Sequence, residues 1–129
     1  MFRLLSVFLL MTTLSGCLDL VGDSVNSLIT DKANIVHTKK AMLFLKEGGA
    51  TESDSYQVSI VGYHEQFDTL AVGNTFIVDS DHGKAWLNPK CIELKWLAND
   101  TLAITYDSKL RTFLQNKTVG SVTVIYQQK

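Results

Sequence analysis

Three polar residues in the stretch VDSDHG, residues 78–83, have the types and spacing to do chemistry: Asp79, Asp81 and His82. Alternation at the end of a strand would put Asp79 and Asp81 on one side, and Glu52 and Asp54 could join them from a neighbouring loop. Carboxylates gathered in this way suit a hard cation such as calcium, and the histidine adds the option of a carboxylate–imidazole pair. The competing reading is turn chemistry, because Asp, His and Gly routinely end strands. No calcium-loop spacing is present, so turn chemistry is the favoured reading.

The other candidates are fewer. A zinc site on His64 and His82 is excluded, because the two flank one strand and stand about 20 Å apart at about 3.3 Å per residue. His37 has no partner at ligand spacing, so all three histidines read as solvated loop or strand-end residues. The chain lacks a G-x-S-x-G elbow, a phosphate loop, H-E-x-x-H and C-x-x-C. These patterns weigh against catalysis, and no cofactor or metal is expected. The formal net charge of -1 offers no basic field for nucleic acid.

The elements that must position these residues are strands. Residues 40–47, 55–63, 74–81, 92–98, 101–108 and 120–128 are short β-branched or aromatic runs separated by turn formers. They predict a mainly β (α+β) domain: one antiparallel sheet of about six strands, able to curl, running up and down. Asn99-Asp100 is the tight hairpin signal. In that order one edge of the sheet carries GGATESD (48–54), HGKAWLNPKC (82–91) and KLRTFLQNKTV (109–119), and the other carries HEQFDTLAVG (64–73). Gly49, Thr51, Asp79, Asp81 and His82 then share an edge. The plainer reading is that these loops hydrogen-bond each other to close the sheet; the sharper one is a ligand or partner site.

The chain opens differently from the rest. MFRLLSVFLLMTTLSGC has one positive charge at Arg3, an apolar run over residues 4–11, and Ser15 and Gly16 before Cys17. This is the layout of a secretory leader, too short for a spanning helix. LSGC resembles the lipobox of bacterial lipoproteins, in which the cysteine is acylated and becomes the first residue after cleavage. The resemblance implies a signal peptide over 1–16 and a covalent lipid on Cys17. Two or three acyl chains hold a protein at a membrane essentially permanently. Leu18, not Asp, follows the cysteine, which implies the periplasmic face of the outer membrane; the alternative is the inner or plasma membrane. Cys91 is then the one remaining thiol, read as structural, and no disulfide staples the domain. Apolar spacing through Leu18, Val21, Val25, Leu28 and Ile29 predicts a short amphipathic helix that packs on the domain. Residues 17–39 are expected to hold the lipidated cysteine, helix and linker, and 40–129 the β domain.

A second resemblance rests on Phe44, Gly49-Ala50-Thr51, Ser55, Gln57-Val58-Ser59-Ile60, Asp79, Asp81-His82-Gly83, Trp96, Leu102, Ile104 and Tyr106. These residues resemble a group of small, mostly uncharacterised bacterial proteins, and Gly48 stands where that pattern has a cysteine. The sequence therefore points to a membrane-anchored, periplasm-facing binding or interaction module whose partner is another envelope protein or a cell-wall polymer. Its expected anchors are Tyr63, Phe67 and Trp86. The alternative is a small metal binder or enzyme using Asp79, Asp81 and His82.

Overall fold

The computed structural model describes residues 25–49 and 53–129. Nine strands follow in order: β1 (Asn26–Ala33), β2 (Lys39–Lys46), β3 (Ser55–Gly62), β4 (Phe76–Asp79), β5 (Ile92–Ala98), β6 (Thr101–Tyr106), β7 (Arg111–Gln115), β8 (Thr118–Val119) and β9 (Val122–Gln128). They form two sheets, ordered β1-β2-β3-β4-β7 and β5-β6-β9-β8. Alternation decides which side chains meet between them. Leu43, Val58, Phe76 and Val78 of the first sheet share one core with Leu94, Leu102, Ile104 and Val124 of the second. Phe76 joins the layers directly, with ring centroids 5.0 Å from Tyr106 and 5.3 Å from Tyr126. Each fully buried large apolar side chain contributes about 1.5–3 kcal/mol, and this packing holds the sandwich together.

The mainly β expectation holds, but its arrangement is corrected. There are two sheets instead of one, and no helix among the described residues. The helix predicted through Ile29 gives way to β1 from Asn26, while its first part lies outside the described residues. The β1–β2 ladder shifts register between Leu28 and Thr30. Strand alternation leaves Leu28 exposed and packs Ile29 against the core, so two neighbouring apolar residues imitate a helical stripe. The up-and-down order also fails. After β6 the chain crosses to the first sheet for β7 and returns for β8 and β9, so β9 lies parallel to β6. Residues 109–119, read as a loop, supply β7 and β8.

Register gives the sandwich two ends. Asn26, Lys46, Ser55, Asp79 and Arg111 form a row across the first sheet. Ile92, Tyr106 and Gln128 lie at the same end of the second, joined to that row through residues 107–110. At the opposite end are the β1–β2 turn and the Asn99-Asp100 hairpin, linked where Asn34 Nδ2 donates to Asn99 O over 3.0 Å. These are called below the Asp79 end and the Asn34 end.

The outer face of the first sheet is not open to water as alternation alone implies. Residues 63–75 fold across it, with Phe67 edge-on to Phe44 at 5.6 Å between centroids. Polar side chains fix this cover, Gln57 and Asn26 from buried positions and Asn74 from an exposed one. Gln57 Oε1 accepts Gly73 N at 2.7 Å, Asn26 Nδ2 donates to Ala71 O at 2.7 Å, and Asn74 exchanges two bonds with the Ile60 backbone. Gly73 is needed because a Cβ there would stand 2.9 Å from Gln57 Cβ and 3.1 Å from Val58 O. Gly73→Ala is therefore expected to cost about 1–3 kcal/mol by overpacking. Chemical denaturation checks this, and an unchanged midpoint would refute the role given to the close approach.

Candidate functional site

Asp79 and Arg111 are register partners on β4 and β7, so their side chains leave the same face side by side. Arg111 Nη2 donates to Asp79 Oδ2 at 2.6 Å and Nε to Oδ1 at 3.1 Å, a two-pronged ion pair with the carboxylate almost wholly buried. These bonds, more than any other influence, hold the Asp79 carboxyl below the usual carboxylate range against the opposing effect of burial. The same bonds raise Arg111. The guanidinium also sits 4.8 Å above the Phe113 ring. Arg111 Nη1 is 3.3 Å from His82 Nε2. A guanidinium nitrogen only donates, so this contact is a hydrogen bond when Nε2 carries no proton.

Beyond Asp79 the chain turns left-handed for three residues, with φ of 50° at Asp81, 59° at His82 and 84° at Gly83. Such geometry costs a non-glycine residue about 1–2 kcal/mol. Local bonds offset it: Asp81 N donates to Asp79 Oδ1 at 2.8 Å, and Ala85 N to Ser80 O at 3.0 Å. Asp79 thus clamps β7 and the turn together. Beside it, Ser55, Ile77, His82, Arg111 and Phe113 line an open cleft of about 400 Å³.

The predicted site residues separate here. The left-handed turn takes Asp81 off the side that alternation assigned to it, and Asp81 pairs with Lys84 at 3.4 Å. Gly49 is exposed, and nothing lies within 4 Å of where a Cβ would stand. Thr51 and Glu52 lie outside the described residues, while Asp54 Oδ1 accepts Gly48 N inside its own loop. Ser55 pairs with Asp79, which puts the 47–54 loop and the turn at the same end. Among the described residues no hydrogen bond joins that loop to residues 80–85, and Asp79 closes on β7 instead. No three His, Cys, Asp or Glu side chains among the described residues could hold a metal. Burial raises the thiol of Cys91, which makes it a poor nucleophile. Phe67 is half-buried in the cover, whereas Trp86 is 81% exposed.

The Asn34 end was not singled out by sequence. Asn34 is 1% exposed and satisfies four bonds. Its Oδ1 accepts Thr38 N and Lys39 N, and its Nδ2 donates to Thr38 Oγ1 and Asn99 O. Asn99 returns the tie, its Oδ1 accepting Val36 N at 3.2 Å. The braced turn holds Ile35 73% exposed and Val36 54% exposed, with Leu97 also bare. Beside it His37 stacks on Tyr63 at 5.1 Å and His64 meets the same ring edge-on at 4.9 Å. His64 and His82 therefore stand at opposite ends of the molecule. Asp31, Lys40, Tyr63, His64 and Glu65 line an open cleft of about 590 Å³ there. No family model matches the chain, and no curated protein or solved structure matches it either.

Asp79 is expected to set an acid limit on stability. Its folded-state pKa is depressed, so its contribution is present above the unfolded carboxylate value of about 3.9 and is lost as pH falls through the folded value. Asp79→Asn is expected to lose about 1–3 kcal/mol near neutral pH, with the gap to wild type closing in strong acid. Urea unfolding at both conditions checks the sign, and a gap independent of pH would exclude the ion pair as its source.

Proposed function

We propose that this chain is a lipid-anchored bacterial envelope protein without catalytic activity, held through Cys17 at the periplasmic face of the outer membrane, and that its Asn34 end binds another envelope protein. The leader and LSGC support the anchor. One observation carries the binding reading: a buried, fully hydrogen-bonded asparagine braces a turn whose tip is Ile35 and Val36. Turn tips ordinarily carry Gly, Asn, Asp or Ser. Two aliphatic side chains held rigidly in water raise the free energy of the unbound surface and lower the ordering cost of burying them against a partner.

The adjacent cleft gives this contact a polar rim. Asp31, Lys40 and Glu65 offer both charge signs, and the Tyr63 ring offers a flat apolar face. Such a mixture suits a polypeptide surface better than a uniformly charged polymer.

A photocrosslinker placed at Ile35 or Val36 of the full chain in its native envelope is expected to capture the same partner from both positions. Leu97→Asp, at a bare neighbouring site, is expected to cut that capture about tenfold or more, the effect of losing roughly 1.4 kcal/mol. Capture unaffected by Leu97→Asp, or shared equally with a crosslinker at exposed Glu93, which lies toward the Asp79 end of β5, would refute the surface. Mass analysis of the purified protein tests the anchor: a diacylglyceryl adduct is expected on Cys17 and absent from Cys17→Ala.

A further inference from the structure

Residues 80–91 leave β4 in one sheet and enter β5 in the other, so they cross the Asp79 end as a strap. Ala85 and Cys91 are buried in the core and Leu87 packs against it, which closes that end of the sandwich. Trp86 lies between these inward residues and is 81% exposed. A large aromatic left in water on a segment fixed at both sides requires a reason.

The position of the chain's beginning supplies one. The described chain starts at Val25, beside the Asn26 row, at the Asp79 end. Val25 follows Cys17 by eight positions, and that length of chain fully extended spans at most about 26–29 Å. A lipid on Cys17 would therefore hold the Asp79 end within that reach of the bilayer, and the Asn34 end stands about 25 Å further along the chain's eight-residue strands at about 3.3 Å per residue. Val25, Leu70 and Val72 are also exposed, at 56%, 61% and 61%. Asn26 holds the 69–71 backbone against the start of β1, so these residues belong to the same end.

We infer that the Asp79 end rests on the lipid surface, with Trp86 as its interfacial anchor. The inference rests on the proposed lipidation of Cys17. Indole suits the headgroup layer because its ring is apolar and its N–H can still reach a polar partner. The charges around it do not favour an electrostatic contact. Lys46, Lys84, Lys90, Lys109 and Lys129 are countered by Glu47, Asp54, Asp68, Asp81 and Asp107 at the same end, where Arg111 is already paired with Asp79. The contact is therefore aromatic and apolar, independent of anionic lipid and insensitive to salt.

The two tryptophans make the test internal. Trp96 pairs with Leu102 toward the Asn34 end, is half-buried, and donates its Nε1–H to Lys32 O at 2.7 Å. The full-length lipidated protein is reconstituted into vesicles of brominated phosphatidylcholine, whose bromine atoms quench nearby indole. In Trp96→Phe, which keeps Trp86, emission is expected to fall about twofold or more, whereas in Trp86→Phe it should change by less than about a tenth. Added phosphatidylglycerol or high salt should leave both results unchanged. Protein that carries the lipid and floats with the vesicles while Trp86 stays unquenched would overturn the inference and leave the anchor standing. Quenching lost in high salt would equally overturn the apolar contact. An unmodified Cys17 and no flotation would overturn both readings.

Discussion

The Asp79–Arg111 pair is the interaction on which the rest of the architecture depends. β7 is a short edge strand that reaches the first sheet only after a crossing from the second, and β4 is its one strand neighbour among the described residues. The ladder between them contains a register shift, so backbone bonds alone specify the pairing weakly. A two-pronged ion pair at the end of that ladder admits one register. The same carboxylate receives the Asp81 amide and stabilises a turn that would otherwise resist its left-handed backbone. From that turn the strap departs that closes the core. One buried charge therefore fixes a strand crossing, a turn and a lid, and removing its partner would leave an uncompensated carboxylate in a dry place.

Other buried polar groups serve the same purpose. Asn26, Asn34 and Gln57 are each almost fully buried, and each bonds to backbone from a distant or turning segment. A buried amide must find partners or forfeit its hydration, so each one specifies a single position for the loop it meets. Cys91 is the free cysteine among the described residues, and loop order here comes from hydrogen bonds instead of disulfides. Tyr126 belongs to this group: its one hydroxyl proton is donated to Asn116 O, with Thr75 O also within reach at 3.1 Å, joining the two sheets where β7 leaves the first, and burial raises its pKa.

What the sequence revealed follows from how local each signal is. Alternation in β5, β6 and β9 was plain because each buries one face against the other sheet. The β5–β6 hairpin was legible from Asn99-Asp100 for the same local reason. Sheet membership was not legible, because β7 and β8 are short and carry mixed polarity with little periodicity. Arg111 was missed with them. A lone arginine in a polar run gives no sign of the acid it will meet 32 residues away. Asp79 was noticed for its company, yet Asp81 and His82 beside it are turn residues, and the partner that matters comes from another strand. The outer-face cover was hidden for a related reason: Gln57 reads as a solvent-facing polar residue until Gly73 lies on it.

The two ends of the sandwich impose different physical demands on a contact made at each. At the Asn34 end the braced turn displays few apolar atoms, and a surface of that size falls in the range of weak, transient interfaces. Free in solution, such a contact would be largely dissociated. On the proposed reading the domain is confined with its partner to one membrane, and confinement can raise the effective concentration into the millimolar range without any new contact. Weak recognition then suffices, provided that the turn faces away from the lipid and keeps one shape. The Asn34 network secures the shape, and attachment through the opposite end secures the direction. Preorganised geometry and a short tether together allow a small apolar tip to serve as a binding element, where a free domain would need a broader interface.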